Sequence, residues 1–539
     1  GTFTVTISEA GTSVTSTDDG DAVTFDIGTL AYTGTITGEA TTTDTLKMGT
    51  GSSIAGGTVN NVEDLELATG ASVTMLASQN AGFTGTVTAD GSETINISDD
   101  SNVTTLSNIE TYVVGDTAQT NSGTFTVTIS EAGTSVTSTD DGDAVTFDIG
   151  TLAYTGTITG EATTTDTLKM GTGSSIAGGT VNNVEDLELA TGASVTMLAS
   201  QNAGFTGTVT ADGSETINIS DDSNVTTLSN IETYVVGDTA QTNSGTFTVT
   251  ISEAGTSVTS TDDGDAVTFD IGTLAYTGTI TGEATTTDTL KMGTGSSIAG
   301  GTVNNVEDLE LATGASVTML ASQHAGFTGT VTAAGTSGGG NGETITLSNT
   351  GTVTGYSVVE NYVLANGDQT FTVGSGSQNV TTGTGTVVID SNDQATLSGT
   401  YDGTNGNVTI NISADANIAN ATFTSIEAIT LEAGVTLTGT RDQLTGLSIS
   451  GGLGLKILSD DATDGQYTLD AAASLDISDF AVPISFVEGD DQTTVTTNLV
   501  LGEGSSLKLT AAQAATGGSE LTIGDGAAAA TVTVEELEN

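Results

Sequence analysis

Cysteine and tryptophan are absent from the 539-residue chain, and proline occurs once, as Pro483. Without cysteine the chain has neither disulfides nor thiolate metal sites. The single histidine, His324, replaces the asparagine of an otherwise faithful repeat, which we interpret as sequence drift. With no second histidine, neither a zinc site nor a Ser-His-Asp triad can be assembled around it.

Basic residues are nearly absent too. Six Lys and Arg stand against 67 Asp and Glu, which gives a net charge of −61. Such a surface repels phosphate backbones and anionic membrane surfaces, because both are bound through Lys and Arg. No apolar run is long enough for a transmembrane helix. A charge this large also favours partners that screen it, and divalent cations are the natural candidates.

What the chain does contain is a repeat. Residues 1–122 recur without change as 123–244, and a third copy, 245–366, diverges after about residue 332. Residues 367–539 are a diverged region built from the same units. An active site needs to be built only once, whereas an array gains reach and valency with each copy. The repeat therefore predicts a non-enzymatic structural or adhesive protein.

Short segments of alternating apolar and Thr or Ser residues fill each copy, for example residues 3–7, 22–27 and 93–97. Alternation at period two, punctuated by Gly, Asp and Asn, predicts strands that are buried on one face, and the fold class is all-β. One short helix is predicted at residues 76–82, with Gly82 as its C-cap.

A smaller motif recurs inside the large repeat. The segment beginning at Asn61 is similar to the one beginning at Asn108, 47 residues later, and to the one beginning at Ser425. A β-solenoid of coils of about 20 residues fits this pattern, with the 47 residues spanning two coils. A string of immunoglobulin-like sandwiches is the alternative, but such domains often carry a core tryptophan and proline-marked linkers. The composition favours the solenoid.

The motif carries a glutamate at one position, which is occupied by Glu63, Glu110, Glu360 and Glu427. Paired carboxylates hydrolyse glycosides in some enzymes. Here they come once per unit, without a tryptophan platform for a sugar, so we predict a structural role such as a hydrogen-bonded ladder.

Aspartates cluster around a glycine once in each copy. Three carboxylates beside a glycine turn can supply the oxygen ligands that Ca²⁺ prefers. The alternative is a solvated Asp-Gly hairpin turn, which uses the same residue types. The candidate calcium ligands are Asp18, Asp19, Asp21, Asp140, Asp141, Asp143, Asp262, Asp263 and Asp265.

Residues 63–83 and 499–513 resemble units of long bacterial β-strand-repeat surface proteins, a group that includes surface-layer proteins and large adhesins exported by type I secretion. The resemblance implies an extracellular, cell-surface location, calcium dependence and a cohesive or coating role. The calcium-binding Gly-Gly-x-Gly-x-Asp nonapeptide of β-rolls does not occur, so that motif supports no calcium site here.

We therefore expect a rod, filament or lattice subunit on a bacterial surface, stabilised by calcium. The alternative is the stalk of a repeat adhesin that attaches cells or biofilms. The expected partners are further copies of the chain, other cell-surface components or a surface polysaccharide. Because the chain opens inside a repeat, we expect export signals to lie outside this stretch.

Overall fold

The structure is a computed structural model that describes the chain up to residue 451 apart from residues 18–19, 117–122, 140–141, 239–244, 262–263, 334–341, 441–442 and 444–447. From residue 452 onward it describes only the backbones of strands.

Each 122-residue copy contains twelve described strands and one short helix. In the first copy these are β1 (Thr2–Thr6), β2 (Val14–Thr15), β3 (Ala22–Asp26), β4 (Thr35–Thr37), β5 (Thr45–Met48), β6 (Thr58–Asn60), β7 (Asp64–Leu67), β8 (Ser72–Met75), α1 (Ala77–Asn80), β9 (Val87–Thr88), β10 (Thr94–Ile97), β11 (Val103–Thr104) and β12 (Thr111–Val114). In the second copy they are β13 (Thr124–Thr128), β14 (Ser135–Ser138), β15 (Ala144–Asp148), β16 (Thr157–Thr159), β17 (Thr167–Met170), β18 (Thr180–Asn182), β19 (Asp186–Leu189), β20 (Ser194–Met197), α2 (Ala199–Asn202), β21 (Val209–Thr210), β22 (Thr216–Ile219), β23 (Val225–Thr226) and β24 (Thr233–Val236).

The third copy and the diverged region continue the same succession. The third copy has β25 (Thr246–Thr250), β26 (Ser257–Ser260), β27 (Ala266–Asp270), β28 (Thr279–Thr281), β29 (Thr289–Met292), β30 (Thr302–Asn304), β31 (Asp308–Leu311), β32 (Ser316–Met319), α3 (Ala321–Gly326), β33 (Val331–Ala333), β34 (Thr344–Leu347), β35 (Thr352–Thr354) and β36 (Asn361–Val363). The diverged region has β37 (Gln369–Thr372), β38 (Asn379–Thr381), β39 (Thr386–Asp390), β40 (Thr400–Asp402), β41 (Asn407–Ile412), β42 (Ala416–Asn417), β43 (Thr422–Thr424), β44 (Ala428–Leu431), β45 (Thr436–Thr440), β46 (Ser448–Gly451), β47 (Gly454–Leu458), β48 (Tyr467–Leu469), β49 (Ser474–Asp476), β50 (Ile484–Glu488), β51 (Thr493–Val495), β52 (Leu499–Leu501), β53 (Ser506–Thr510), β54 (Leu521–Ile523) and β55 (Thr531–Glu535).

The strands stack in parallel, one coil after another, as a β-solenoid. Thr2 lies opposite Ala22, 20 residues later. The step from Thr94 to Thr111 takes 17 residues, and the step from Thr111 to Ser135 takes 24. Among the strand pairs that the structure describes, only β50 and β51 run antiparallel. Immunoglobulin-like sandwiches are built from antiparallel strands, so the sandwich alternative is wrong and the solenoid prediction is confirmed.

The chain divides into two compact units, Gly1–Thr268 with Gly278–Thr286, and Phe269–Thr277 with Thr287–Asn539. In the first unit, odd-numbered strands form the sheets β1-β3-β5-β7-β9 and β11-β13-β15-β17-β19-β21, and even-numbered strands form β2-β4-β6 and β8-β10-β12-β14-β16-β18. The second unit contains the sheets β32-β34-β36-β38-β40-β43, β35-β37-β39-β41-β44-β46-β49-β53-β55, β42-β45-β47-β50-β51 and β48-β52-β54. Each coil thus contributes one strand to each of two sheets.

The core lies between the two sheets and consists of columns of like residues. In one column Phe25 lies opposite Leu46, Leu46 opposite Leu65, and Leu65 opposite Val87. The first three side chains are fully buried, and Val87 is 5% exposed. Burying one such side chain contributes about 1.5–3 kcal/mol. Because each coil packs only on its neighbours, the seam grows by one layer per coil.

The recurring motif marks a corner of the coil. Its first residue takes the left-handed conformation, with φ of 51° at Asn61, 60° at Asn108 and 54° at Ser425. The next residue is buried, as for Val62 and Ile109, and a strand follows. The strands are β7 and β12, which lie in different sheets, five strands apart. The separation of 47 residues is therefore two and a half coils, and the two-coil interpretation is wrong, because the same corner can lead into either sheet.

The predicted helix is present as α1, but its predicted glycine cap is wrong. The residue after the helix, Ala81, is right-handed helical with φ −65° and ψ −16°, and Gly82 does not take a positive φ. The helix is held instead by tertiary contacts: Gln79 Nε2 donates to the carbonyl oxygens of Ile54 at 2.7 Å and Gly57 at 3.0 Å. No helix in the described part of the chain is long and apolar enough to span a membrane.

Candidate functional site

The predicted calcium ligands lie at the corner that precedes β3, β15 and β27. Three of them, Asp21, Asp143 and Asp265, fall within the described residues. Asp143 Oδ1 accepts the backbone N–H of Gly123 from the preceding coil. Asp143 is only 1% exposed, and its Oδ2 has no hydrogen-bond partner. A buried carboxylate oxygen without a partner is costly, so this corner is the most plausible place for a bound cation.

The other six predicted ligands, Asp18, Asp19, Asp140, Asp141, Asp262 and Asp263, lie outside the described residues. Within the described ones no three Asp, Glu or His side chains are placed to hold a metal ion together. The calcium site therefore stays a prediction. The hairpin alternative is wrong, because β2 pairs with β4 and β3 pairs with β1 and β5, so the turn joins two different sheets.

Carboxylates at strand starts cap backbone N–H groups of the neighbouring coil. Asp44 is fully buried, and its oxygens accept the N–H groups of Val23 at 2.7 Å and Glu39 at 2.6 Å. Glu63 Oε2 in turn accepts the N–H of Asp44 at 3.2 Å. Each carboxylate thus satisfies donors that the ladder between coils leaves open.

The other motif glutamates behave in the same way. Glu110 Oε2 accepts the N–H of Glu93 at 3.2 Å, and Glu360 Oε2 accepts that of Glu343 at 3.0 Å. The predicted ladder is confirmed for Glu63, Glu110 and Glu360.

Glu93 has the most strongly hydrogen-bonded of these carboxylates. It accepts N–H groups from Gly70, Asp90, Gly91 and Ser92 at 3.0–3.1 Å. Burial acts to raise the pKa of Glu93, but the hydrogen bonds outweigh it and lower the pKa to about 2. The carboxylate is therefore ionised at neutral pH and serves as an internal brace. A general acid would need the opposite shift.

The second and third copies show how this brace depends on its turn. Glu215 repeats the environment of Glu93, and its pKa is likewise about 2. Glu343, the third-copy equivalent, is fully buried, and its Oε2 has no hydrogen-bond partner. Burial and the neighbouring Glu343 carboxylate raise the pKa of Glu360. The third-copy corner is thus less well satisfied than its two counterparts.

A groove lies beside the helix in the second copy and again in the third. Each has a volume of about 350 Å³. In the second copy it is lined by Val181, Asn183, Leu198, Gln201 and Phe205, among others, and none of the described lining residues is charged. Strand β18 ends its sheet and pairs on one edge only. The groove offers neutral polar and apolar contacts and no acid, base or nucleophile with a shifted pKa.

His324 lies in a cluster that the sequence interpretation missed. It is 2% exposed, and its ring stacks on Tyr356 with centroids 4.0 Å apart and planes at 14°. Its Nε2 lies 3.2 Å from the hydroxyl of Tyr362. Burial lowers the pKa of His324 to about 4, so the ring is neutral at pH 7.

The first copy fills the same space with Asn80. Its Nδ2 donates to the carbonyl oxygen of Thr104 at 2.7 Å, and its Oδ1 accepts the hydroxyl of Tyr112 at 3.1 Å. Leu106 stands where the third copy has Tyr356. The change to histidine is therefore accompanied by an aromatic partner, a signal that was present in the sequence as two linked differences between copies.

Comparisons with family models, with curated proteins and with solved structures find no match for this chain.

Proposed function

We propose that the chain is a non-enzymatic structural protein that forms a rod, filament or lattice on a bacterial cell surface. The observation that supports this most directly is continuity across a copy boundary. Val103 of β11 pairs with Val127 of β13, so the second copy extends the sheet of the first. Each added copy lengthens the same hydrogen-bonded stack, by about 4.8 Å per coil.

The carboxylates support the same role. Asp44, Glu63 and Glu93 bind backbone N–H groups of their own or adjacent coils, which is a bracing function repeated from copy to copy. A catalytic carboxylate would face a substrate cleft. Their use as internal caps is what a scaffold needs and what an enzyme would not repeat.

Calcium is the proposed stabilising ion. The net charge of −61 opposes compaction unless cations offset it, and the partnerless Oδ2 of Asp143 offers one ligand. Titrating CaCl₂ into the full chain, with MgCl₂ as control, should raise the melting temperature and the particle size. The variant Asp143→Asn should reduce the response. A melting curve that is unchanged up to millimolar calcium would contradict calcium stabilisation.

The stalk of a repeat adhesin is the second candidate. The complete identity of residues 1–122 and 123–244 supports it, because recombination between identical copies changes the length of a stalk without harming it. Electron microscopy of the purified chain separates the two roles. A lattice or filament subunit should give ordered assemblies, whereas a stalk should stay as single particles. Protease shaving of intact cells that make the protein would test the surface location.

A further inference from the structure

One face of the first unit carries no charge. In the sheet β8-β10-β12-β14-β16-β18, alternate residues point outward. They include Thr94 and Asn96 on β10, Thr111 and Val113 on β12, and Ser135 and Thr137 on β14. The outward positions of β8, β16 and β18 are Ser, Thr and Asn only. We call this set the uncharged face. In a chain with 67 acidic residues, a whole sheet face without one is notable.

The charges of the strands lie on the other sheet. There Asp148, Lys169 and Glu188 stand opposite one another in successive strands. Lys169 Nζ lies 2.8 Å from Glu188. The acidic residues nearest to the uncharged face, Glu93 and Glu110, are at the coil corner and are engaged with backbone N–H groups. The two sheets therefore differ in charge although both are rich in threonine.

The uncharged face is periodic. Thr94 lies opposite Thr111 and Thr111 opposite Ser135, which makes one column. Val113 lies opposite Thr137 and Thr137 opposite Thr159, which makes a second. The side chains repeat about every 4.8 Å along the stack, and the two columns are about 6.8 Å apart.

These features favour a second copy of the chain as the partner. Two copies that each carry −61 repel one another, and the repulsion is least where the facing surfaces carry no charge. Hydroxyl and amide side chains both donate and accept hydrogen bonds, so the face is complementary to itself. Two copies also share the same rise per coil. A contact made in one coil can therefore recur in the next, which no partner of a different period can match.

The size of the face limits the strength of this contact. Six strands of about four residues cover about 400 Å², whereas a specific interface buries about 800 Å² on each partner. The sheet β20-β22-β24-β26-β28 repeats the pattern, with Thr259 and Thr281 at outward positions. Both sheets together reach the size of a weak specific interface.

We propose that the uncharged face is the surface through which two copies of the chain pack side by side. This extends the proposed scaffold function by naming the surface where copies meet. It differs from calcium bridging in one respect that can be measured. Packing through an uncharged face needs only that the long-range repulsion be screened, so NaCl should promote it as well as CaCl₂ does at equal ionic strength.

Sedimentation velocity of the full chain over a range of concentrations tests the proposal. We expect association that strengthens with NaCl in the presence of EDTA. Replacing Thr137, Thr159, Thr259 and Thr281 by Glu should weaken association at least about tenfold, because it sets like charges against each other across the interface. The same four positions changed to Asn should leave association within about twofold of wild type, since asparagine keeps donor and acceptor.

The matched control carries the same charge on the other sheet. Thr126 and Thr146 are outward on β13 and β15, and Thr248 and Thr268 are their third-copy equivalents. Changing these four to Glu should leave association within about twofold of wild type. Thermal melting by circular dichroism checks that all variants fold.

Three outcomes would overturn the proposal. The first is equal weakening by the two sets of glutamates, and the second is association that requires calcium at any NaCl concentration. The third is a chain that stays monomeric at high salt but sediments with an insoluble neutral polysaccharide, and loses that binding in the Thr137, Thr159, Thr259 and Thr281 variant. Calcium-independent association that the first set abolishes would support the face even if calcium stabilisation failed.

Discussion

His324 should titrate far below the ordinary range of histidine. An exposed imidazole has a pKa of about 6.5, whereas burial lowers that of His324 to about 4. Because the folded pKa is below the unfolded one, the unfolded state binds the proton first as the pH falls. The third copy should therefore be fully stable above about pH 6.5 and lose stability between about pH 6.5 and 4, by up to about 3 kcal/mol.

The chain contains one histidine, so a sample labelled with ¹³C-histidine gives one imidazole resonance to follow. Hydrogen exchange read by mass spectrometry gives the energetic effect. Corrected for intrinsic rates, protection of α3 should fall between pH 7 and pH 5, whereas the helices α1 and α2, which carry Asn80 and Asn202, serve as internal controls and should not change.

The variant His324→Asn restores the residue of the other copies and should remove this pH dependence. It also leaves Tyr356 without its stacked partner, so the double variant with Tyr356→Leu should recover about 0.5–1.5 kcal/mol relative to the single one. A histidine that titrates at pH 6 or above, or an α3 whose protection follows that of α1, would refute the buried, neutral assignment.

Three further predictions concern the braces of the coil. Asn108 has φ 60°, so Asn108→Ala should lower the free energy of unfolding by about 1–2 kcal/mol and Asn108→Gly by less, as measured by urea denaturation; equal losses would show that the conformation is not the cause. Glu93→Gln should cost about 1–3 kcal/mol at pH 7. Because the folded pKa of Glu93, about 2, lies below the unfolded one, that cost should shrink as the pH falls through about 4 towards 2, and a constant cost would contradict the assigned ionisation. Gln201→Leu removes two hydrogen bonds, to Ile176 at 2.7 Å and Gly179 at 3.1 Å; it should abolish exchange protection of α2 while β20 keeps its own, and protection that survives would mean that the helix does not need this anchor.

Strands were predictable because their signal is local. Ala22–Asp26 alternates apolar and polar residues, and it is a strand with Val23 and Phe25 buried. Parallel stacking was favoured by what the composition lacks and by the absence of linkers between copies. The ladder role of Glu63 followed from its recurrence. Each of these conclusions needs only the order of residues along a short segment or its repetition.

Other features depend on residues that the fold brings together from different coils. Gly82 looks like a helix cap, but α1 is held by Gln79 reaching Ile54 and Gly57. The Asp-Gly turn looks like a hairpin, but its flanking strands pair with other coils. No local pattern specifies a contact across some 20 residues, because the period of the coil varies from 17 to 24.

The sequence by itself determined that this is an all-β, repeated and acidic chain, because alternation, duplication and charge are properties of the residues alone. Only the tertiary structure decided which side chains share a face. The difference in charge between the two sheets, the buried caps of Asp44 and Glu93 and the stacking of His324 on Tyr356 all arise from the register between coils. That register is set by packing of the core columns, where one residue more or less in a turn shifts every outward side chain to the other face.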